Sequence, residues 1–272
     1  MHYFITSSKC SYITENSANH VIDYPNGVDK NYGGDEILEL KKEFENKYST
    51  TSLGVSRILT AFNYPVISSS IVDGHITNPK YYLILNEVEG QNELDKTYTL
   101  SSFPLSQSWE EGVGKKFDKP KVKQGVTWTD FNSGSSWSVT TGHNSESGSR
   151  TAGGGVWITG SGYEASQSFS NQSPDIEMDV TDIVNKQLGG SNQITNYGFI
   201  TKFSGSIEDD GTQLDLKFFS NNTHTIYQPK LEVRWNDCSY PNPMITTLNY
   251  ITMSGEVENH IFIKGLQKSY RE

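Results

Sequence analysis

Residues Asp175-Ile-Glu-Met-Asp-Val180 alternate strictly between carboxylate and apolar side chains, and the next stretch, Thr181 to Leu188, changes to a short helix-like turn closed by Gly189 and Gly190. Period-two alternation marks a strand with one buried face. Three more apolar strands follow, at Tyr197 to Phe203, Leu214 to Phe219 and Leu231 to Trp235. This block decides the fold: many short strands, polar turns between them and one short helix near 181–188.

The same texture extends backwards. Tyr3 to Thr6, Tyr12 to Thr14, Glu36 to Leu40, Arg57 to Phe62, Lys80 to Val88 and Tyr98 to Leu105 read as strands. In Glu36 to Leu40, Leu38 and Leu40 share one face. Lys80 to Val88 is apolar on both faces, as a central strand requires. Val66 to Ile76 reads as one helical turn. Ser106 to Gly155 is rich in Gly, Ser, Lys and Thr and reads as long loops with short strands such as Val126 to Phe131. The expected fold is therefore an all-β jelly-roll sandwich with long loops over residues 1–237. Residues 238–272, with Pro241 and Pro243, read as a linker and the start of a further β segment.

The chain has 272 residues, 34% hydrophobic and 12% aromatic, enough for a core without metal or disulfide staples. A net charge of −10 argues against a nucleic-acid partner, and Lys115, Lys116, Lys119, Lys121 and Lys123 read as a solvated loop. The longest apolar block, Tyr81 to Leu85, is too short to insert in a membrane, and the N-terminus shows no signal-peptide pattern. Cys10 and Cys238 read as free thiols, with a disulfide between first and last strands left open. Asn171-Gln-Ser173 and Asn221-Asn-Thr223 match the glycosylation triplet by chance on this reading.

Chemistry-bearing patterns are few. The six histidines show no metal-ligand spacing, and there is no nucleophile elbow or phosphate loop. No cofactor is expected. Asp175, Glu177 and Asp179 share a strand face that reads as solvated, and Asp179 and Thr181 can cap the turn that follows. Glu208, Asp209 and Asp210 form an acidic turn that reads as a hairpin turn and can offer oxygens to Ca²⁺. Trp109, Trp137 and Tyr163 lie among polar loop residues, where a ring stacks on a sugar or caps the core. Trp128, Trp157 and Trp235 read as core.

Several motifs fall into a recognisable order: Trp109-Glu-Glu-Gly112, Gly125-Val-Thr-Trp128, Asp179-Val-Thr181 with Gly189, Asn196-Tyr-Gly-Phe199 and Pro229-Lys-Leu-Glu-Val233. This order resembles the DNRLRE-type β-sandwich domain, related to carbohydrate-binding modules. The text around Asn196 to Lys202, Leu216 to Ser220 and Thr223 to Tyr227 looks like the version in virion structural proteins of tailed, particularly marine, bacteriophages. The match departs after Trp128 and in the Gly/Ser loop to Gly155. The resemblance implies a non-enzymatic virion component of the tail, neck or fibre. Its expected partners are other virion subunits, in a homo-oligomer, with long loops, the Tyr98–Leu105 flank and the acidic strand face as candidate interfaces. It further implies a virion location, reached by assembly in the host cytoplasm. The alternative is a carbohydrate-binding module presenting Trp109, Trp137 or Tyr163 to a host-surface glycan.

Overall fold

A computed structural model describes residues 1–15, 27–44, 53–89, 96–138, 143–144, 153–170, 174–236, 251–253 and 256–258. In chain order the elements are β1 (His2–Thr6), β2 (Lys9–Thr14), β3 (Ile37–Phe44), β4 (Leu53–Ala61), α1 (Pro65–Val72), β5 (Lys80–Leu85) and β6 (Thr97–Pro104). The long-loop region holds β7 (Asp130–Asn132), β8 (Ser135–Ser136), β9 (His143–Asn144) and β10 (Trp157–Ile158). Then come β11 (Ala165–Ser170), β12 (Ile176–Asp179), α2 (Thr181–Gln187), β13 (Phe199–Phe203), α3 (Gly205–Asp209), β14 (Leu214–Phe219) and β15 (Lys230–Arg234). These lie in one compact unit, Met1–Trp235; a second unit, Asn236–Glu272, holds the antiparallel pair β16 (Ile251–Met253) and β17 (Glu256–Glu258).

The first unit is an all-β sandwich. A four-stranded sheet has the order β1-β15-β5-β12, and a seven-stranded sheet runs β11-β6-β13-β4-β3-β14 with β2 also on β4. Consecutive strands repeatedly change sheets: β1 to β2, β5 to β6, β11 to β12 to β13, and β14 to β15. A jelly-roll chain runs in this way between its layers. The small sheet gives Tyr81, Leu83, Ile176, Met178, Leu231 and Val233 to the core, against Leu38, Leu40, Ile58, Leu100, Phe199 and Phe218 of the large one.

The large sheet is buried on its other face too. Ile13, Val55, Leu59, Phe103 and Ile200 meet Trp109, Val126, Trp128 and Trp157 from the long-loop region. Alternation along β4 writes both layers, with Ile58 on one face and Val55 and Leu59 on the other.

Leu38 and Leu40 are fully buried, as their spacing predicts. Other expectations need correction. Among the described residues there are three short helices, where the fold expectation named one, near 181–188. α1 has Pro65 in its first turn, where the missing N–H is harmless, and runs eight residues. α3 occupies the acidic stretch read as a hairpin turn. Residues 126–129 are not a strand; the pairing starts at Asp130. β5 is interior to its sheet but buries one face only, because Tyr82 and Ile84 lie on the outer side of the sandwich. Within 238–272, expected to be a linker and the start of a further β segment, β16 and β17 are strands, and the rest lies outside the described residues.

Candidate functional site

Burial and bonding separate the three rings read as stacking on a sugar or capping the core. Trp109 is 3% exposed, and its Nε1 donates to the Tyr197 carbonyl at 2.9 Å. Lys9 lies over its ring at 5.7 Å and donates to its carbonyl. Of the two readings of Trp109 the structure bears out core capping and rules out the glycan-binding one: a ring enclosed on the outer face of the large sheet has no face left for a sugar. Tyr163 is half-buried with Lys186 Nζ 4.0 Å from its centroid. That ammonium also donates to the Ser161 and Gly162 carbonyls, which fixes it over the ring. Trp137 is half-buried, its Nε1 on the Thr127 carbonyl and its ring against Phe131. The three rings do not form one platform.

The acidic stretch is also committed elsewhere. Glu208 is buried and takes two hydrogen bonds from Arg57, each 3.0 Å, and a short one from Lys202. Burial raises its carboxyl, but Arg57 and Lys202 outweigh that and hold it below the usual range. Asp210 pairs with buried Lys42 at 2.7 Å, and Asp209 is exposed. The proposed calcium oxygens from Glu208, Asp209 and Asp210 therefore do not converge: two of the three carboxylates are spent on different cations. Among the described residues no three His, Cys, Asp or Glu side chains group as a metal site.

The Asp175, Glu177 and Asp179 face does point outward. Each carboxylate has a local job: Asp175 accepts from the Glu87 N–H at 2.7 Å, Glu177 pairs with Arg234, and Asp179 accepts from the Thr181 N–H at 2.9 Å. The lysine run is paired as well, Lys116 with Glu39, and Lys121 and Lys123 with Asp29. The Tyr98–Leu105 flank is corrected outright: β6 lies between β11 and β13, almost wholly buried, so it is no interface. Cys10 is a free buried thiol, pushed up to about 12 by burial; Cys238 lies outside the described residues. The Asn221 carboxamide of the second glycosylation triplet is held by Cys10 and Glu111, and Asn171 lies outside the described residues.

A different feature stands out on the surface, with no signal in side-chain spacing. β1 is the outermost strand of the four-stranded sheet. Met1 and Trp235 exchange both backbone bonds, at 2.7 and 3.0 Å, and the Ser7 N–H donates to the Pro229 carbonyl. In an antiparallel ladder such mutual bonding recurs every second residue. Tyr3 and Ile5 therefore face β15, while His2, Phe4 and Thr6 aim N–H and C=O at the open edge. Among the described residues no strand pairs there.

This edge carries aromatic side chains on both faces. Ile5 packs against the core, and Tyr3 beside it on that face is 44% exposed. Phe4 points the other way, 45% exposed, with the His2 ring at 5.1 Å and Lys230 at 5.6 Å. On the same outer face Arg234 lies 4.1 Å over Tyr82 and bonds Glu232, whose carboxyl this contact lowers. A cleft of about 400 Å³, lined in part by Glu111, Lys115, Asn222 and His224, lies elsewhere in the unit. Its Glu111 is bound to Cys10 N–H and Asn221, and its Asn222 to the Gly33 carbonyl. No protein-family model matches the chain, and a search of curated proteins finds no relative.

Proposed function

We propose that this chain is a non-enzymatic structural component of a tailed-phage virion, in the tail, neck or fibre-associated parts, acting through protein–protein contacts. The observation that carries the reading is the β1 edge: an uncharged strand whose outward backbone groups meet no other strand among the described residues, with exposed rings on both faces. Such an edge is a template for another chain, and soluble monomers ordinarily blunt it with charge, proline or a bulge. The ordered motifs that resemble virion sandwich domains supply the setting. Support also comes from the acidic groups, since Glu208, Asp210, Glu177 and Asp29 are all held by cations that organise the fold.

Mass spectrometry of gradient-purified particles of the encoding phage tests this. The expected result is the chain at fixed stoichiometry to the major structural proteins. Its absence from particles, with abundant protein in the lysate, overturns the reading.

Trp137 favours a second reading, a carbohydrate-binding module. It keeps part of its surface in solvent, and the β7–β8 hairpin before it borders a cleft of about 500 Å³ lined by Asp29, Lys123, Gln124, Asp130, Ser133 and Gly134. A glycan array probed with the wild type and with Trp137→Ala decides it: a signal lost in the variant favours this reading.

A further inference from the structure

We infer that the protein forms a two-fold dimer in which β1 pairs antiparallel with β1 of a second copy, centred on Phe4. The inference rests on the contact-module reading of this edge and names the partner.

Three other outer strands, β12, β14 and β2, carry some cover of their own. Along β12, Gln167 accepts from the Glu177 N–H at 2.8 Å and donates to the Asp175 carbonyl at 3.2 Å, standing in for a neighbouring strand. Along β14, residues 86–88 take the place of a strand, through Val88 N–H to the Lys217 carbonyl and Phe219 N–H to the Asn86 carbonyl. On β2, Cys10 N–H is bound by Glu111. Among the described residues β1 has no such cover.

The strand is complementary to itself. In the Phe4-centred register Phe4 faces Phe4 of the second copy, and His2 faces Thr6. These are the residues whose backbone groups point outward, so each pair exchanges both bonds. Tyr3 and Ile5 then meet as cross-strand neighbours on the core side, where Tyr3 is now exposed and Ile5 marks the rim of the core. Charge selects the same edge. A second copy paired on β12 sets Glu177 and Asp179 against their own like charges, whereas on β1 no like charges stand opposed. The two-fold axis closes the assembly at two copies.

Analytical ultracentrifugation of the full chain over a concentration series tests this with three variants. The wild type is expected to be dimeric. Phe4→Pro removes the N–H at the centre of the new pairing and leaves the bonds to β15 intact, so it is expected to be a folded monomer. Phe4→Lys opposes two ammonium groups and is expected to be monomeric, with dimer regained in high salt. Mild oxidation of Phe4→Cys is expected to give a covalent dimer, because directly paired Cα atoms lie within disulfide reach. The variant and its control both carry Cys238→Ser, and in that background the oxidised chain without Phe4→Cys is expected to give none, since Cys10 is buried. A wild type that is monomeric throughout overturns the inference. So does a dimer that survives both Phe4→Pro and Phe4→Lys, or a Phe4→Cys variant that does not cross-link. A monomer still built into particles overturns the dimer and leaves the structural-subunit reading standing. A dimer absent from particles does the reverse.

Discussion

Arg57 is the side chain on which most of the outer layer depends. It is fully buried, with its guanidinium 4.9 Å from the Trp128 ring and 5.1 Å from Trp157. It binds both Glu208 oxygens and donates to the Gly154 carbonyl at 2.6 Å. Removing one partner of a buried pair strands the other charge, so Glu208→Gln is expected to lower stability by about 3 kcal/mol at pH 7, read from urea midpoints. The sign in acid follows from the lowered Glu208 carboxyl. Its stabilisation is present above the unfolded value, about 4.3, and is lost as pH falls through the lower folded value. The gap between wild type and Glu208→Gln should therefore narrow below about pH 4; a constant gap argues against the pairing. Gly154 gives a second test. It has φ +73°, and a Cβ there would lie 2.6 Å from Arg57 Nη1 and 2.8 Å from the Trp128 ring. Gly154→Ala is expected to cost about 1–3 kcal/mol, measured the same way. The sequence shows Arg57 only as a lone charge inside an apolar strand. It could not show Glu208 as its partner, because the two are 151 residues apart and spacing carries no information across sheets.

At the scale of elements, one amide anchors the loop that follows β6. Asn31 is fully buried and makes four bonds. Its Nδ2 donates to the Glu111 and Val126 carbonyls, each at 2.7 Å, and its Oδ1 accepts from Gly33 and Gly114 N–H at 3.1 and 2.8 Å. A buried loop has no ladder to satisfy its backbone, so a side chain with two donors and two acceptors replaces one. Asn31→Ala is expected to lose about 2–4 kcal/mol, since several buried groups lose partners together. Limited proteolysis should show cleavage within 106–126 well before the strands are cut; cutting elsewhere first would show that the loop is held by other means. The strands were legible because burial on one face forces alternation, as in Leu38/Leu40 and Ile176/Met178. The loop was not, because its apolar residues have no period. For that reason the sequence leaves Trp109 between stacking on a sugar and capping the core: its neighbours are polar, yet the ring is enclosed in the outer cluster. The open edge of β1 was equally hidden, since strand order is decided by partners distant in sequence.

At the scale of the whole first unit, the chain closes on itself at its own ends. Met1 and Trp235 bond each other, β1 runs beside β15, and β15 lies between β1 and β5 with Leu231 and Val233 wholly in the core. Removing β15 thus takes out an interior strand, unpairs one side of β5 and leaves β1 with no neighbour. A chain ending at Asn236 keeps every one of these contacts. We expect residues 1–236 to give a cooperative thermal transition and a strand-type circular dichroism spectrum like those of the full chain, with a midpoint within a few degrees, roughly the shift that 1 kcal/mol produces in a domain of this size. Residues 1–229 should show no cooperative transition and should aggregate, because the bared edge of β5 sits over exposed core side chains. If residues 1–236 melt far below the full chain, the Met1–Trp235 unit depends on segments beyond it for its stability. If residues 1–229 still melt cooperatively, β15 is dispensable, and the four-stranded sheet cannot be held in the order argued above.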